Sequence, residues 1–109
     1  MKLLQKSDNG KTFDISKGSR IEVRLKGNPT TGYRWNLPAI RSKGAPPDSV
    51  SILIDQYILD KPVLVGSGGV RKYIIEFTER GIFDLMFQLK RAWEKKPPIE
   101  TFNVVMRVQ

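Results

Sequence analysis

A chain of 109 residues is long enough for one domain and one modest core. It has no cysteine and no histidine, which excludes disulfides and Cys–His or Ser–His nucleophilic catalysis and removes the commonest nitrogen and sulfur metal ligands. Nineteen basic residues against eleven acidic ones give +8, which predicts an acidic partner, either nucleic acid or an acidic protein surface.

The N-terminal run Met1-Lys2-Leu3-Leu4-Gln5-Lys6-Ser7-Asp8 lacks the apolar stretch of about 7–15 residues of a secretory leader. The chain as it stands reads as cytoplasmic. The alternative is the mature form of a lysosomal, phagosomal or secreted protein whose leader has been removed. No apolar run approaches the roughly 18–20 residues of a membrane span, so no membrane role is expected.

Asn9-Gly10 predicts a tight primed hairpin turn, and Lys17-Gly18 a bend. Ile21, Val23 and Leu25 then alternate with Glu22, Arg24 and Lys26. Side chains two apart share a face in a strand, so this run offers one face to a core and one to water. Trp35 follows Tyr33 at strand spacing. A core position between two sheets is expected for it, with direct partner contact as the alternative. Pro38 to Asp48 reads as a long irregular connection, and Ser51 to Leu59 returns to strand character.

The same alternation recurs at Tyr73, Ile75 and Phe77, at Phe83, Leu85, Phe87 and Leu89, and at Phe102, Val104, Met106 and Val108. Arg80-Gly81 marks a bend between the first two of these runs. No amphipathic stretch of ordinary helical length interrupts them. One all-β domain over residues 1–109 is expected, with antiparallel sheets closed as a sandwich or a barrel. The acids Glu76, Glu79, Asp84, Glu94 and Glu100 are scattered and read as solvated outer faces rather than as the carboxylate pair of a glycosidase. No enzymatic activity is expected.

Three segments exceed what a scaffold needs. In Gly27-Asn28-Pro29-Thr30-Thr31-Gly32-Tyr33, Pro29 fixes its own φ and restricts Asn28, the threonines are stiff at χ1, and Gly32 permits a turn that a Cβ would forbid. The outcome is a rigid tip or an ordinary turn. Leu64-Val65-Gly66-Ser67-Gly68-Gly69 exposes bare backbone, suited to main-chain contact with another protein or to a flexible hairpin connection; it lacks the Lys-Ser/Thr ending of a phosphate loop. Arg91-Ala92-Trp93-Glu94-Lys95-Lys96-Pro97-Pro98 places Trp and Arg, the residues most enriched in binding hot spots, at a loop tip. A tryptophan folded back over the core is the alternative. In a sandwich, loops of one end cluster, so the three would form one protruding edge.

These three segments, in this order, resemble the chagasin-like inhibitors of papain-family cysteine proteases. That family carries an Asn-Pro-Thr-Thr-Gly-aromatic loop, a Gly-x-Gly-Gly loop and an Arg-Pro-aromatic loop. Here they are Asn28-Pro29-Thr30-Thr31-Gly32-Tyr33, Gly66-Ser67-Gly68-Gly69 and Arg91-Ala92-Trp93. The third departs, because Ala92 stands where the family has proline and one source of stiffness is lost. The resemblance implies an immunoglobulin-like antiparallel β-sandwich. It implies reversible, tight-binding inhibition of papain-like proteases of cathepsin L or B type, with Thr31 nearest the catalytic pair. Leu64, Val65 and Gly66 would run along the substrate groove, while Arg91 and Trp93 would lean on its far side. It implies a monomer with no cofactor, no metal and no nucleic-acid partner. The rival reading is a nucleic-acid-binding β-barrel in which Tyr33, Trp35 and Trp93 stack on bases. A generic adhesion-type sandwich module is the second rival.

Overall fold

The computed structural model describes residues 1–27, 31–46, 48–59 and 68–109. Among them run eight strands: β1 (Lys2–Leu4), β2 (Thr12–Ile15), β3 (Arg20–Gly27), β4 (Arg34–Lys43), β5 (Val50–Leu59), β6 (Gly69–Phe77), β7 (Gly81–Lys90) and β8 (Glu100–Val108). One 3-10 turn, Lys6–Asp8, lies between β1 and β2. The strands form two four-stranded sheets, ordered β1-β3-β6-β5 and β2-β8-β7-β4.

The alternating runs supply the core between the sheets. Ile21, Val23 and Leu25 of β3 and Tyr73, Ile75 and Phe77 of β6 are buried from one side. Phe83, Leu85 and Phe87 of β7 and Phe102, Val104 and Met106 of β8 are buried from the other. Aromatic rings bridge the layers, with Tyr73 5.0 Å from Phe87 and Phe77 5.2 Å from Phe83 between centroids. Their tilted arrangement is the one that ring quadrupoles favour. The expected immunoglobulin-like sandwich is therefore built by these runs.

Three local expectations need correction. Asn9-Gly10 does not make a primed hairpin turn. Asn9 has φ −54 and ψ 132 and Gly10 has φ +82, the signature of a type II turn. The flanking strands are not a hairpin either, because β1 pairs with β3 and β2 with β8, both in parallel. The N-terminal segment thus crosses from one sheet to the other and adds an edge strand to each, while the other pairings are antiparallel.

The second correction concerns the start of the supposed irregular connection, since β4 runs through Pro38 to Lys43. Its pairing with β7 shifts register between Asn36 and Ala39. A bulge on an edge strand is where a proline without N–H is tolerated.

The third concerns Glu79 and Glu94, which lie beyond β6 and β7 and pair with Lys17 and Arg91 instead of decorating strands.

Candidate functional site

The loop end of the sandwich begins where three strands stop in register. Gly27 of β3 lies opposite Gly69 of β6, and Gly69 lies opposite Leu59 of β5. The first loop leaves from Gly27 and returns at Arg34. The second joins β5 to β6. The third joins β7 to β8.

Trp35 fixes the base of the first loop. It is 2% exposed, and its indole Nε1–H donates to the Lys26 carbonyl oxygen at 2.9 Å. A buried indole needs such a partner. This bond ties the two strands that flank the loop, which settles Trp35 as a core residue. Tyr57 of β5 adds a second tie, its hydroxyl donating to the carbonyl oxygen of Gly27.

Gly69 is a close-packing position. A Cβ there would stand 2.3 Å from the Ile58 carbonyl oxygen and 2.6 Å from the Tyr57 ring. The glycine therefore lets β5 and β6 approach at the exit of the second loop. Of the sequence-predicted residues in that loop, Gly68 and Gly69 are described, whereas Leu64, Val65, Gly66 and Ser67 lie outside the described residues. Asn28, Pro29 and Thr30 of the first loop also lie outside them.

Thr31, Gly32 and Tyr33 meet the third loop directly. Arg91 donates from Nε to the Thr31 carbonyl oxygen at 3.0 Å. The same guanidinium lies 4.3 Å from the centroid of the Tyr33 ring and pairs with Glu94 at 2.9 Å. Glu94 N–H in turn donates to the Arg91 carbonyl at 3.2 Å, closing a turn over residues 91–94. The hydrogen bond from Arg91 holds the Glu94 carboxyl below the usual carboxylate range. One planar cation thus engages a carbonyl, a carboxylate and an aromatic face at once, with donors held in a rigid fork.

Trp93 is turned outward and 70% exposed. Its ring packs against Gly32 of the first loop, so it is not folded over the core. Ala92 sits between the two, at the second position of the turn. The Arg91 network braces the loop from outside its own backbone. Sequence reasoning named Glu94 without its pairing to Arg91 and did not name Tyr57 as a support. An Arg–Glu spacing of three across a turn was the available signal for Glu94. Nothing local marks Tyr57.

Among the described residues no group of His, Cys, Asp and Glu side chains could hold a metal ion, and no helix is long and apolar enough to cross a membrane. Among the described residues, the edge offers main chain, small polar groups and the exposed Trp93 indole, with no Cys or His nucleophile or base. That equips it to fill a groove in another macromolecule.

Comparison with known proteins agrees with this architecture. Residues 14–106 match the model of the Chagasin family peptidase inhibitor I42. The chain is 31% identical over 106 residues to Amoebiasin-1 of Entamoeba histolytica, covering 97% of this chain and 98% of that protein. It is 27% identical over 88 residues to Chagasin of Trypanosoma cruzi, covering 81% and 79%. Its fold matches the crystal structure of the cysteine protease inhibitor EhICP2 from Entamoeba histolytica, with a TM-score of 0.80, 25% identity and 99% and 94% coverage. It also matches PbICP-C, whose structure is that of a complex with falcipain-2, with a TM-score of 0.72 and 19% identity over both full lengths.

Proposed function

The chain belongs to the chagasin family of peptidase inhibitors, and from that premise we propose that its three-loop edge is the surface that closes the cleft of papain-like cysteine proteases. It is a cysteine protease inhibitor, not an enzyme. Its relative PbICP-C is known in complex with falcipain-2, and a papain-like cleft is the partner assigned to this chain. The assigned contact residues are Asn28 to Tyr33 in the first loop, Leu64 to Gly69 in the second, and Ala92 and Trp93 in the third. Arg91 belongs to the same edge as its brace.

The observation that carries this reading is the bond from Arg91 to the Thr31 carbonyl. It joins the first and third loops before any partner arrives. Pre-organisation lowers the ordering cost of association. Thr31 and Trp93 then present as one wedge.

A blocker must also survive the nucleophile it covers. Cleavage requires a carbonyl held in near-attack geometry. The first loop turns sharply at Gly32, whose φ is +83, so at that residue the chain is not extended as a substrate strand would be. A standard protease–inhibitor interface buries about 1,600 Å² in total, which three loops and their flanks can supply.

Titrating papain, with a serine protease as control, tests the assignment. Stoichiometric loss of the cysteine protease activity alone is expected, and it should be reversed on dilution. Weakening by Trp93→Ala and Thr31→Ala, with folding intact, would place the contact on this edge. Unchanged inhibition by both variants would move it elsewhere.

A further inference from the structure

Beside the loops, the outer face of the second sheet carries an uncompensated charge pair. Arg34 of β4 and Lys90 of β7 are register partners. Their neighbours Trp35 and Leu89 point into the core, so strand alternation puts both cations side by side on the outer face. Like charges directly opposite each other destabilise a sheet. Elsewhere the sheets neutralise such cations, as with Arg20 and Glu76, Arg71 and Asp55, and Arg107 and Asp14. Among the described residues, neither Arg34 nor Lys90 has an ion-pair partner. Arg71, which lines the same groove, is paired with Asp55, and Glu94 is paired with Arg91.

The pair opens onto a groove of about 510 Å³ whose walls include Gly32, Arg34, Lys90, Ala92 and Trp93. The groove is therefore continuous with the edge formed by the first and third loops. It combines two unpaired cations with an exposed indole.

We propose that Arg34 and Lys90 form a docking point for carboxylate side chains on the rim of the protease cleft, and that they bias this inhibitor toward proteases with acidic rims. The proposal rests on the inhibitory reading above. Two adjacent cations destabilise the free inhibitor slightly and are neutralised when an acidic rim closes on Trp93. Charges at the edge of an interface act chiefly on the association rate and its salt dependence.

The test compares wild type with the double variant Arg34→Gln/Lys90→Gln. The control is Lys43→Gln/Arg80→Gln, which removes the same charge at the opposite end of the molecule. Association rates are measured against papain, cathepsin L and falcipain-2 over about 20 to 300 mM salt. The loop-end variant should associate several-fold more slowly at low salt, with a flatter salt dependence, and most strongly so for the enzyme with the most acidic rim. The control should change far less, and the loop-end variant should melt no lower than wild type. Equal rates for the two double variants would overturn the docking point while leaving inhibition established. Failure of wild type to inhibit any of the three enzymes would overturn the inhibitory reading itself, and the docking point with it.

Discussion

The indole of Trp93 occupies the space where a side chain on Gly32 would stand, so that a Cβ built there would lie 2.2 Å from the ring. Gly32 also has φ +83, a left-handed conformation that costs an L-residue about 1–2 kcal/mol. Two independent demands therefore fall on one position. Gly32→Ala is expected to lower stability by about that amount. It should also push Trp93 off the first loop and weaken inhibition at least about tenfold, the kind of loss seen when a hot-spot residue is displaced. Thermal melting and inhibition constants, measured together, check both parts. Wild-type inhibition by a correctly folded variant would mean that the Gly32–Trp93 contact is dispensable.

Ala92 is the departure from the family's loop pattern, and its setting predicts what restoring proline would do. It holds the second position of the turn closed by the Glu94 N–H to Arg91 carbonyl bond, where proline is favoured. Its N–H donates to no carbonyl of another described residue in turns or loops. A compatible proline stabilises by about 0.4–1 kcal/mol through the unfolded or free loop ensemble. Ala92→Pro should therefore tighten inhibition by about two- to fivefold, through a slower dissociation rate. Weaker inhibition would show that Arg91 cannot keep its bond to Thr31 once its own backbone is restricted by a following proline.

How far the sequence alone reaches can be judged on single residues. The period-two runs placed Phe83, Phe87, Phe102 and Met106 in the core correctly, because burial on one face of a strand leaves a local pattern. Trp35 was legible for the same reason. Pro38 misled, since proline usually ends a strand and only the sheet order reveals that β4 is an edge. Asn9-Gly10 misled because a turn signal does not say which strands will pair. In the loop edge, residue types were legible and their mutual support was not. That Arg91 would reach the Thr31 carbonyl, 60 residues away in the chain, depends on a β4–β7 register that no local motif encodes.

The Arg91–Glu94 pair sets a pH dependence whose sign can be worked out. The hydrogen bond from Arg91 lowers the Glu94 pKa from its ordinary value of 4.5. A carboxylate with a lowered folded value contributes fully above the ordinary value and is lost as pH falls through the lowered one. The loop brace should therefore be intact at neutral and mildly acidic pH and fail only below the usual carboxylate range. An NMR titration of the Glu94 carboxyl carbon in the isolated inhibitor avoids the protease's own titrations. Its midpoint should lie below 4.5 and move upward in Arg91→Ala. A midpoint at or above the ordinary value would mean that the pair does not persist in solution.

Gly69 tests whether the strands beneath the loops, and not the loops alone, set the inhibitory surface. A Cβ at Gly69 would meet the Ile58 carbonyl oxygen at 2.3 Å. That atom belongs to the backbone of β5 and cannot swing aside as a side chain end can. It would also meet the ring of Tyr57, whose hydroxyl bonds the carbonyl of Gly27 where the first loop begins. Gly69→Ala should cost about 1–3 kcal/mol as an overpacked site and weaken inhibition beyond what that loss explains. Gly44→Ala supplies the comparison. Gly44 has φ +74 with open space around its missing Cβ, so the change should cost about 1–2 kcal/mol through backbone conformation alone. It lies just beyond Lys43, at the end of β4 opposite Arg34. Comparable destabilisation with inhibition lost only in the Gly69 variant is the expected pair of results. Equal inhibition by both variants would show that the first loop keeps its shape without the Tyr57–Gly27 tie.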